Sequence, residues 1–230
     1  MQLKMIPDLV LAEKQEAILC QTAFLGHAFS NQHRLKIVSL LAQSPKTVEL
    51  LARDIGQSVA STSAHLKVLR ATGVVTSHKF GRHVRYELRS QFASTFALNL
   101  MRLARELLPE VRETVRDYFE DRGDLSPLTQ GELLSELQAG RAIALDLRPE
   151  DEFANGHIPG ALHLPFCELR AHAGRLPRKA DLLAYCRGPY CLIAVHGTDI
   201  LRSMGFNARR LGFGVPEWKA CNNPVETSFR

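Results

Sequence analysis

The stretch YCRGPYC, residues 185–191, brackets Arg, Gly, Pro and Tyr with two thiols, Cys186 and Cys191, directly after the apolar residues Leu182, Leu183 and Ala184. Three chemistries suit two cysteines so placed: a disulfide, part of a metal clip, or a reactive thiol. A structural zinc site needs four ligands, and no second cysteine pair accompanies this one to complete them. The residues before Cys186 read as a buried strand, and LIAVHGTDILRSMG reads as a helix from Leu192 to about Met204. A strand, a short loop and a helix let the loop's backbone N–H groups curl around one point at the helix N-terminus, forming an anion nest. A thiol held there is stabilised as thiolate and becomes nucleophilic near neutral pH, with Arg187 adding positive potential. Cys186 is therefore the candidate catalytic residue, and Arg187, Gly188, Pro189, Tyr190 and Cys191 form its candidate anion loop. Two readings of Cys191 stand: a resolving thiol that attacks a modified Cys186, or a loop residue that packs and donates a weak hydrogen bond.

The surrounding sequence supplies the scaffold for such a loop. LTQGELLSELQAG is an amphipathic helix capped by Thr129 and ended by Gly140, AIALDL and ADLLAY are short buried strands, and NARRLGFG leads through a third strand to a Gly-rich loop. Strands alternating with helices predict an α/β domain with a largely parallel sheet, whose ligands sit beyond the carboxyl ends of the strands. Cys186 lies at such an end.

The first half is chemically different. Between Asn31 and Ser90 there are ten basic and three acidic residues, whereas from Ser126 onward there are 12 basic and 11 acidic, so nearly all of the net charge of +5 sits in the first half. That half calls for a polyanion. HRLKIVSLLAQ reads as a helix stopped at Ser44-Pro45. TVELLARDIG reads as a second, with Thr47 as N-cap, Leu50, Leu51 and Ile55 inward and Gly56 as the break. QSVASTSAHLKVLRATG follows, capped by Ser58, with Val59, Leu66 and Leu69 inward and Ser61, Thr62, Ser63 and His65 on the exposed side. VVTSHKFGRHVRYELR then alternates about Phe80-Gly81-Arg82 as a hairpin with a basic tip. The pattern is a mainly α winged helix-turn-helix, whose second helix enters the major groove of double-stranded DNA. The candidate DNA-binding residues are Ser58, Ser61, Thr62, Ser63, His65, Lys67 and Arg70 on that helix, with Lys79, Arg82, His83 and Arg85 on the wing.

A chain of 230 residues has room for two cores, and its 45% hydrophobic and 23% charged residues are ordinary for a globular protein. The boundaries expected are a DNA-binding and dimerisation domain over 1–120, a linker over 121–128 and an α/β domain over 129–230. Five cysteines, an odd number spread over a long chain, do not make a secreted disulfide scaffold. No apolar run reaches the roughly 18 residues of a spanning helix, and MQLKMIPDLVLAEKQE acquires charges too early for a secretory leader. The expectation is a cytoplasmic protein with reduced thiols and no membrane partner.

Two family resemblances follow from these motifs. Over about residues 15–120 the stretches HRLKIVSLL, ELLARDIGQSVASTSAHLKVLRATGVV and GRHVRYEL resemble the ArsR/SmtB family of winged-helix repressors. This resemblance implies a homodimer on a palindromic operator, and the apolar-rich flanking helices LAEKQEAILCQTAFLGHAF and FASTFALNLMRLARELL suit its interface, the second ended or kinked by Pro109. Many members sense metals through cysteines in the helix that here reads ELLARDI, or through Asp-x-His on the last helix. This sequence has neither, so no metal and no cofactor is expected. Cys20 is a small hydrophobe packed in its helix or a redox or persulfide-accepting thiol.

Over about residues 127–228 the stretches LDLRPEDEFANGHIPGALHLP, YCRGPYC and GFGVPEWKACNNPVE resemble the rhodanese (sulfurtransferase) domain. The resemblance makes Cys186 the residue that carries sulfane sulfur as a persulfide, cradled by loop 186–191. Related phosphatases and arsenate reductases close a longer loop with an arginine six residues after the cysteine, where this chain has Leu192, so sulfur transfer is the better reading. Asp146 and Arg148 form a supporting pair at a strand end, Arg148 alternatively attracting an anionic donor. Glu152, His157 and Pro159 shape the loop beneath the site, with a base role for His157 as the alternative. Trp218 is core, and Cys167 and Cys221 are inert.

The function expected is a transcriptional regulator that senses or transfers sulfur through Cys186, with thiosulfate as a donor and a thiol as acceptor. The alternatives are a sulfurtransferase whose DNA binding is secondary and an oxyanion sensor, of the arsenate type, without turnover.

Overall fold

Asn31 accepts hydrogen bonds from the backbone N–H groups of His33 (2.9 Å) and Arg34 (3.2 Å) and so starts a helix at Gln32. Side-chain caps of this kind open four of the helices in the computed structural model, which describes residues 5–228. The first four residues, which head the charged stretch weighed above against a secretory leader, and the last two lie outside the described residues. The chain divides between Ala97 and Leu98 into two compact units.

The first unit contains α1 (Met5–His27), α2 (Gln32–Leu41), β1 (Lys46–Thr47), α3 (Val48–Ile55), α4 (Val59–Ala71), β2 (Val75–Phe80), β3 (His83–Leu88) and the start of α5 (Gln91–Leu107). The Thr47 hydroxyl accepts the Leu50 N–H at 3.4 Å to open α3, and Gly56 closes it with φ +69°, a conformation that costs glycine little. The Ser58 hydroxyl accepts the Ser61 N–H at 3.1 Å and opens α4. The three strands are antiparallel in the order β1-β3-β2, with the β2–β3 hairpin turning at Gly81-Arg82. Ile37, Val38, Leu51, Ile55, Leu66 and Leu69 are buried between α2, α3 and α4. Leu50 and Val59, expected inward, are exposed. The inner stripe of α3 runs through Leu51, Ala52 and Ile55, and Val59 is the first residue of α4, ahead of the turn that packs.

The second unit continues with α6 (Pro109–Val115), a π-helical turn (Arg116–Glu120), α7 (Gln130–Gln138), β4 (Ala142–Asp146), α8 (Glu150–Ala154), β5 (Leu162–His163), α9 (Leu169–His172), β6 (Asp181–Tyr185), α10 (Leu192–Ser203), β7 (Ala208–Arg210) and α11 (Val215–Ala220). Pro109 takes the first position of α6, where its missing N–H costs nothing, so the preceding helix ends before it. Thr129 and Glu132 close a capping box on α7. Four parallel strands run in the order β5-β4-β6-β7. Because side chains alternate along a strand, Leu182 and Ala184 of β6 join one core with Leu201 and Phe206, while Leu183 and Tyr185 join another with Leu133, Ile158 and Trp218. Residues 121–128 lie along β7: the Arg210 N–H donates to the Asp124 carbonyl (2.7 Å) and the Ser126 N–H to the Arg210 carbonyl (2.8 Å).

Candidate functional site

Strand β6 is buried from Leu182 through Tyr185 and delivers Cys186, 1% exposed, to the carboxyl edge of the sheet. The loop then turns at Gly188 and Pro189, and Cys191 becomes the N-cap of α10, its N–H donating to the Gly188 carbonyl at 3.2 Å. Both thiols are free. They are near enough to share a proton, and that interaction is the largest influence on each: it raises Cys186 well above the usual thiol range, helped by burial, and lowers Cys191 to about 6. The backbone N–H groups of Arg187, Ile193 and Ala194 add to the lowering at Cys191, although its sulfur forms no fully made cap hydrogen bond. The surroundings therefore favour thiolate at Cys191 rather than at Cys186, where the sequence reading expects it. Cys186 sits deeper, with only the Arg187 N–H and charge to counter its desolvation.

Arg187 holds Glu152 by a bidentate pair, with Nε at 3.0 and 2.9 Å from the two carboxylate oxygens and a guanidinium nitrogen at 2.6 Å from Oε1. Glu152 is fully buried, so the charge expected to add positive potential at the thiol is largely matched from below, and the pair ties the loop to α8. Asp146 and Arg148 form a second pair, fully buried and 2.6 Å apart at the closest atoms. The Arg148 guanidinium also donates to the Gly156 carbonyl (2.8 Å) and lies over the Tyr185 ring at 5.8 Å, so it braces the strand end and faces no solvent. His157 stacks on Phe153 with centroids 3.7 Å apart, its Nδ1 is 2.9 Å from the Phe153 carbonyl, and its Nε2 is 3.6 Å from Glu226. Both ring nitrogens are thus engaged in scaffold, not at a sulfur.

Three residues that brace the loop escaped the sequence reading. Gly214 presses on it so closely that a Cβ there would stand 2.6 Å from the Cys186 carbonyl oxygen. The buried Glu217 carboxyl accepts the Gly214 N–H at 2.9 Å and lies under Gly188, and burial raises its pKa. Arg210, paired with Asp124 at 3.3 Å, donates to the Pro189 carbonyl at 3.4 Å. Gly214 and Glu217 fall in GFGVPEW, a stretch already notable; Arg210 carries no local signal. Beside the loop opens a cleft of about 640 Å³, lined by Pro189, Tyr190, Phe213 and Glu217 and by Arg102 and Arg105. Trp218 is fully buried, as expected of core, while Cys167 and Cys221 are exposed.

In the first unit, Ser58, Ser63, Lys67 and Arg70 are exposed on α4, and Ser61 and His65 are half-buried, His65 lying 5.4 Å from the His33 ring. Thr62, expected among the DNA contacts, is fully buried, and its hydroxyl donates to the Ser58 carbonyl at 2.9 Å. It stands one helical turn before the core residue Leu66 and shares its face. Lys79, Arg82, His83 and Arg85 are exposed on the wing. Cys20 is exposed on α1, 3.8 Å from Glu16, so within one chain it does not pack as a core hydrophobe.

A winged helix-turn-helix joined to a four-stranded parallel α/β unit with a strand–loop–helix thiol site defines a transcriptional regulator with a rhodanese-like domain. Residues 31–77 match the bacterial regulatory protein, arsR family, and residues 129–221 match the rhodanese-like domain. The chain is 35% identical over 216 residues to the HTH-type transcriptional regulator Rv0324 of Mycobacterium tuberculosis, spanning 94% of each protein. It belongs to that family, the ArsR-type HTH regulators carrying a rhodanese-like domain. It is also similar to the thiosulfate:glutathione sulfurtransferase of Homo sapiens, 33% identical over 38% of this chain and 87% of that protein. Among solved structures, a homodimeric winged helix-turn-helix DNA-binding domain from Mycobacterium bovis is 30% identical with TM-score 0.39, over 42% of this chain and 89% of that one.

Proposed function

We propose that this regulator represses transcription from a palindromic operator as a cytoplasmic homodimer, and that its rhodanese-like unit takes sulfane sulfur on Cys186 as a persulfide. The observation that carries the sulfur reading is the placement of Cys186 at the end of a central parallel strand, inside a loop whose N–H groups converge at the start of α10. Attack of its thiolate on the outer sulfur of thiosulfate expels sulfite and leaves the persulfide in the loop. The human relative's name pairs thiosulfate with a thiol acceptor, which supports the same donor and acceptor classes here. Turnover as a sulfurtransferase is the second reading, favoured by the arginine-lined cleft beside Tyr190, which suits an anionic acceptor.

The homodimer is supported by α1, where Leu11, Ile18, Leu19, Phe24 and Leu25 are all exposed in the single chain and require a cover. DNA binding is assigned to α4 and the β2–β3 wing. Replacing Arg82 and Arg85 with Ala is expected to weaken binding to all sequences alike and to reduce the slope of log affinity against log salt by about two. An unchanged slope would remove the wing from the interface.

The sulfur assignment is tested by incubating the reduced protein with thiosulfate without oxygen and assaying sulfite. One equivalent per chain is expected, and none from Cys186→Ser, whose DNA affinity should stay intact. Sulfite release by that variant defeats the assignment, and arsenate binding without any sulfite release from the unaltered protein favours the oxyanion sensor instead.

A further inference from the structure

Resting on the loading of Cys186 just proposed, we propose a further activity: Cys191 resolves the Cys186 persulfide, so that one round of thiosulfate cleavage ends in an intraloop disulfide and free hydrosulfide. Three observations carry it. The two thiols already interact across the loop, the first at its floor and the second at its rim. Cys191 caps the twelve-residue helix α10, where three backbone N–H groups favour its thiolate, so a nucleophile stands beside Cys186 before any sulfur arrives. Three charged groups around the loop are held in pairs: Arg187 by Glu152, Glu217 by the Gly214 N–H, and Arg210 by Asp124 and the Pro189 carbonyl. The thiolate of Cys191 is thus the group on hand to react with a modified Cys186.

The steps balance without an external reductant. In the first, the proton passes from Cys186 to Cys191 and the Cys186 thiolate attacks the outer sulfur of thiosulfate; the sulfur–sulfur bond of thiosulfate breaks and sulfite leaves. In the second, that proton passes to the persulfide and the Cys191 thiolate attacks Cys186 Sγ. A Cys186–Cys191 bond forms, the bond from Cys186 to the outer sulfur breaks, and the outer sulfur departs as hydrosulfide. The two cysteines lose two electrons and the sulfane sulfur gains them. Attack on Cys186 Sγ rather than on the outer sulfur joins the two ends of the six-residue loop, whose thiols already influence each other. The consequence is a chemical signal with memory: the sulfur is discharged, and the loop stays covalently closed until a thiol reopens it.

The experiment compares the reduced full chain with Cys191→Ser, both incubated with thiosulfate without oxygen, quenched in acid and weighed intact, with sulfite and sulfide assayed in solution. Serine is a good N-cap and nearly isosteric, so the variant keeps the start of α10. It also removes the interaction that raises Cys186, and loading by the variant is read independently from the sulfite it releases. The unaltered protein is expected to lose about 2 Da, to release one sulfite and one sulfide, and to yield a peptide joining Cys186 to Cys191; the variant gains about 32 Da, with sulfite and no sulfide. A stable gain of sulfur in both proteins, or a disulfide mapped to any other pair, overturns the resolving role while leaving Cys186 as the carrier. Absence of sulfite from both overturns the loading reading, and the inference falls with it.

Discussion

Gly214→Ala is expected to reduce sulfur loading at Cys186 by about a hundredfold, the scale on which a displacement of roughly 1 Å at a reacting group acts. The argument is steric. A Cβ on Gly214 would lie 2.6 Å from the Cys186 carbonyl oxygen and 2.8 Å from both the Arg187 carbonyl carbon and the Gly188 nitrogen. All three are backbone atoms, so no rotamer change can make room, and the loop itself must lift. The backbone of Gly214, at φ −118° and ψ −164°, is extended and open to any residue, so the cost comes from the contact and not from the torsion. Overpacking of this kind costs about 1–3 kcal/mol, which thermal melting of the variant would register. Gly212→Ala is the control, because its Cβ would meet only Leu125 Cδ1 at 3.5 Å, an ordinary contact, and its loading rate should stay within about twofold of the unaltered protein. Rates of sulfite release decide the matter: wild-type loading by Gly214→Ala would show that the loop's position does not govern the thiol.

What the amino-acid sequence discloses is what is local. The caps Thr47, Ser58 and Thr129, the left-handed Gly56 and Gly140, the hairpin turn at Gly81 and the buried strand before Cys186 are each written within a few residues, and each stands where it was expected. Two-residue strands such as β1 and β5 are too short for any periodicity to register, and only pairing with β3 and β4 defines them. The facing of α4 failed at Thr62 because a small polar residue signals groove or core equally well until the core's direction is known. The pairings beneath the sulfur loop were hidden for a different reason. Glu152 was expected under the loop and Arg187 in it, but they are 35 residues apart, and Arg210 and Asp124 are 86 apart, so nothing local signals either ion pair. The distribution of the proton between Cys186 and Cys191 was also beyond reach, since it depends on which sulfur lies deeper and on which one the helix N–H groups face.

Asp146→Asn is expected to destabilise the rhodanese-like unit by about 3–5 kcal/mol, the cost of leaving one partner of a buried ion pair without its counter-charge. Both side chains are fully buried, so water cannot replace what is lost. Burial pushes the Arg148 pKa down, but the hydrogen bonds and charge of Asp146 outweigh it and leave the pKa raised, so without Asp146 a charged guanidinium is left buried and uncompensated. Asparagine keeps the shape and one acceptor oxygen, so the substitution isolates the charge from the packing. The consequence reaches the thiol, because Arg148 holds the Gly156 carbonyl and so closes the turn after α8, the helix whose Glu152 grips Arg187. Replacing both partners by apolar residues, Asp146→Leu with Arg148→Met, should recover most of the stability, since no charge is then left buried. DNA affinity should hold in both variants, as the winged helix lies in the other unit. Denaturant titration of the single and double variants separates the cases: a loss under about 1 kcal/mol in Asp146→Asn would mean that the pair is not the brace described here.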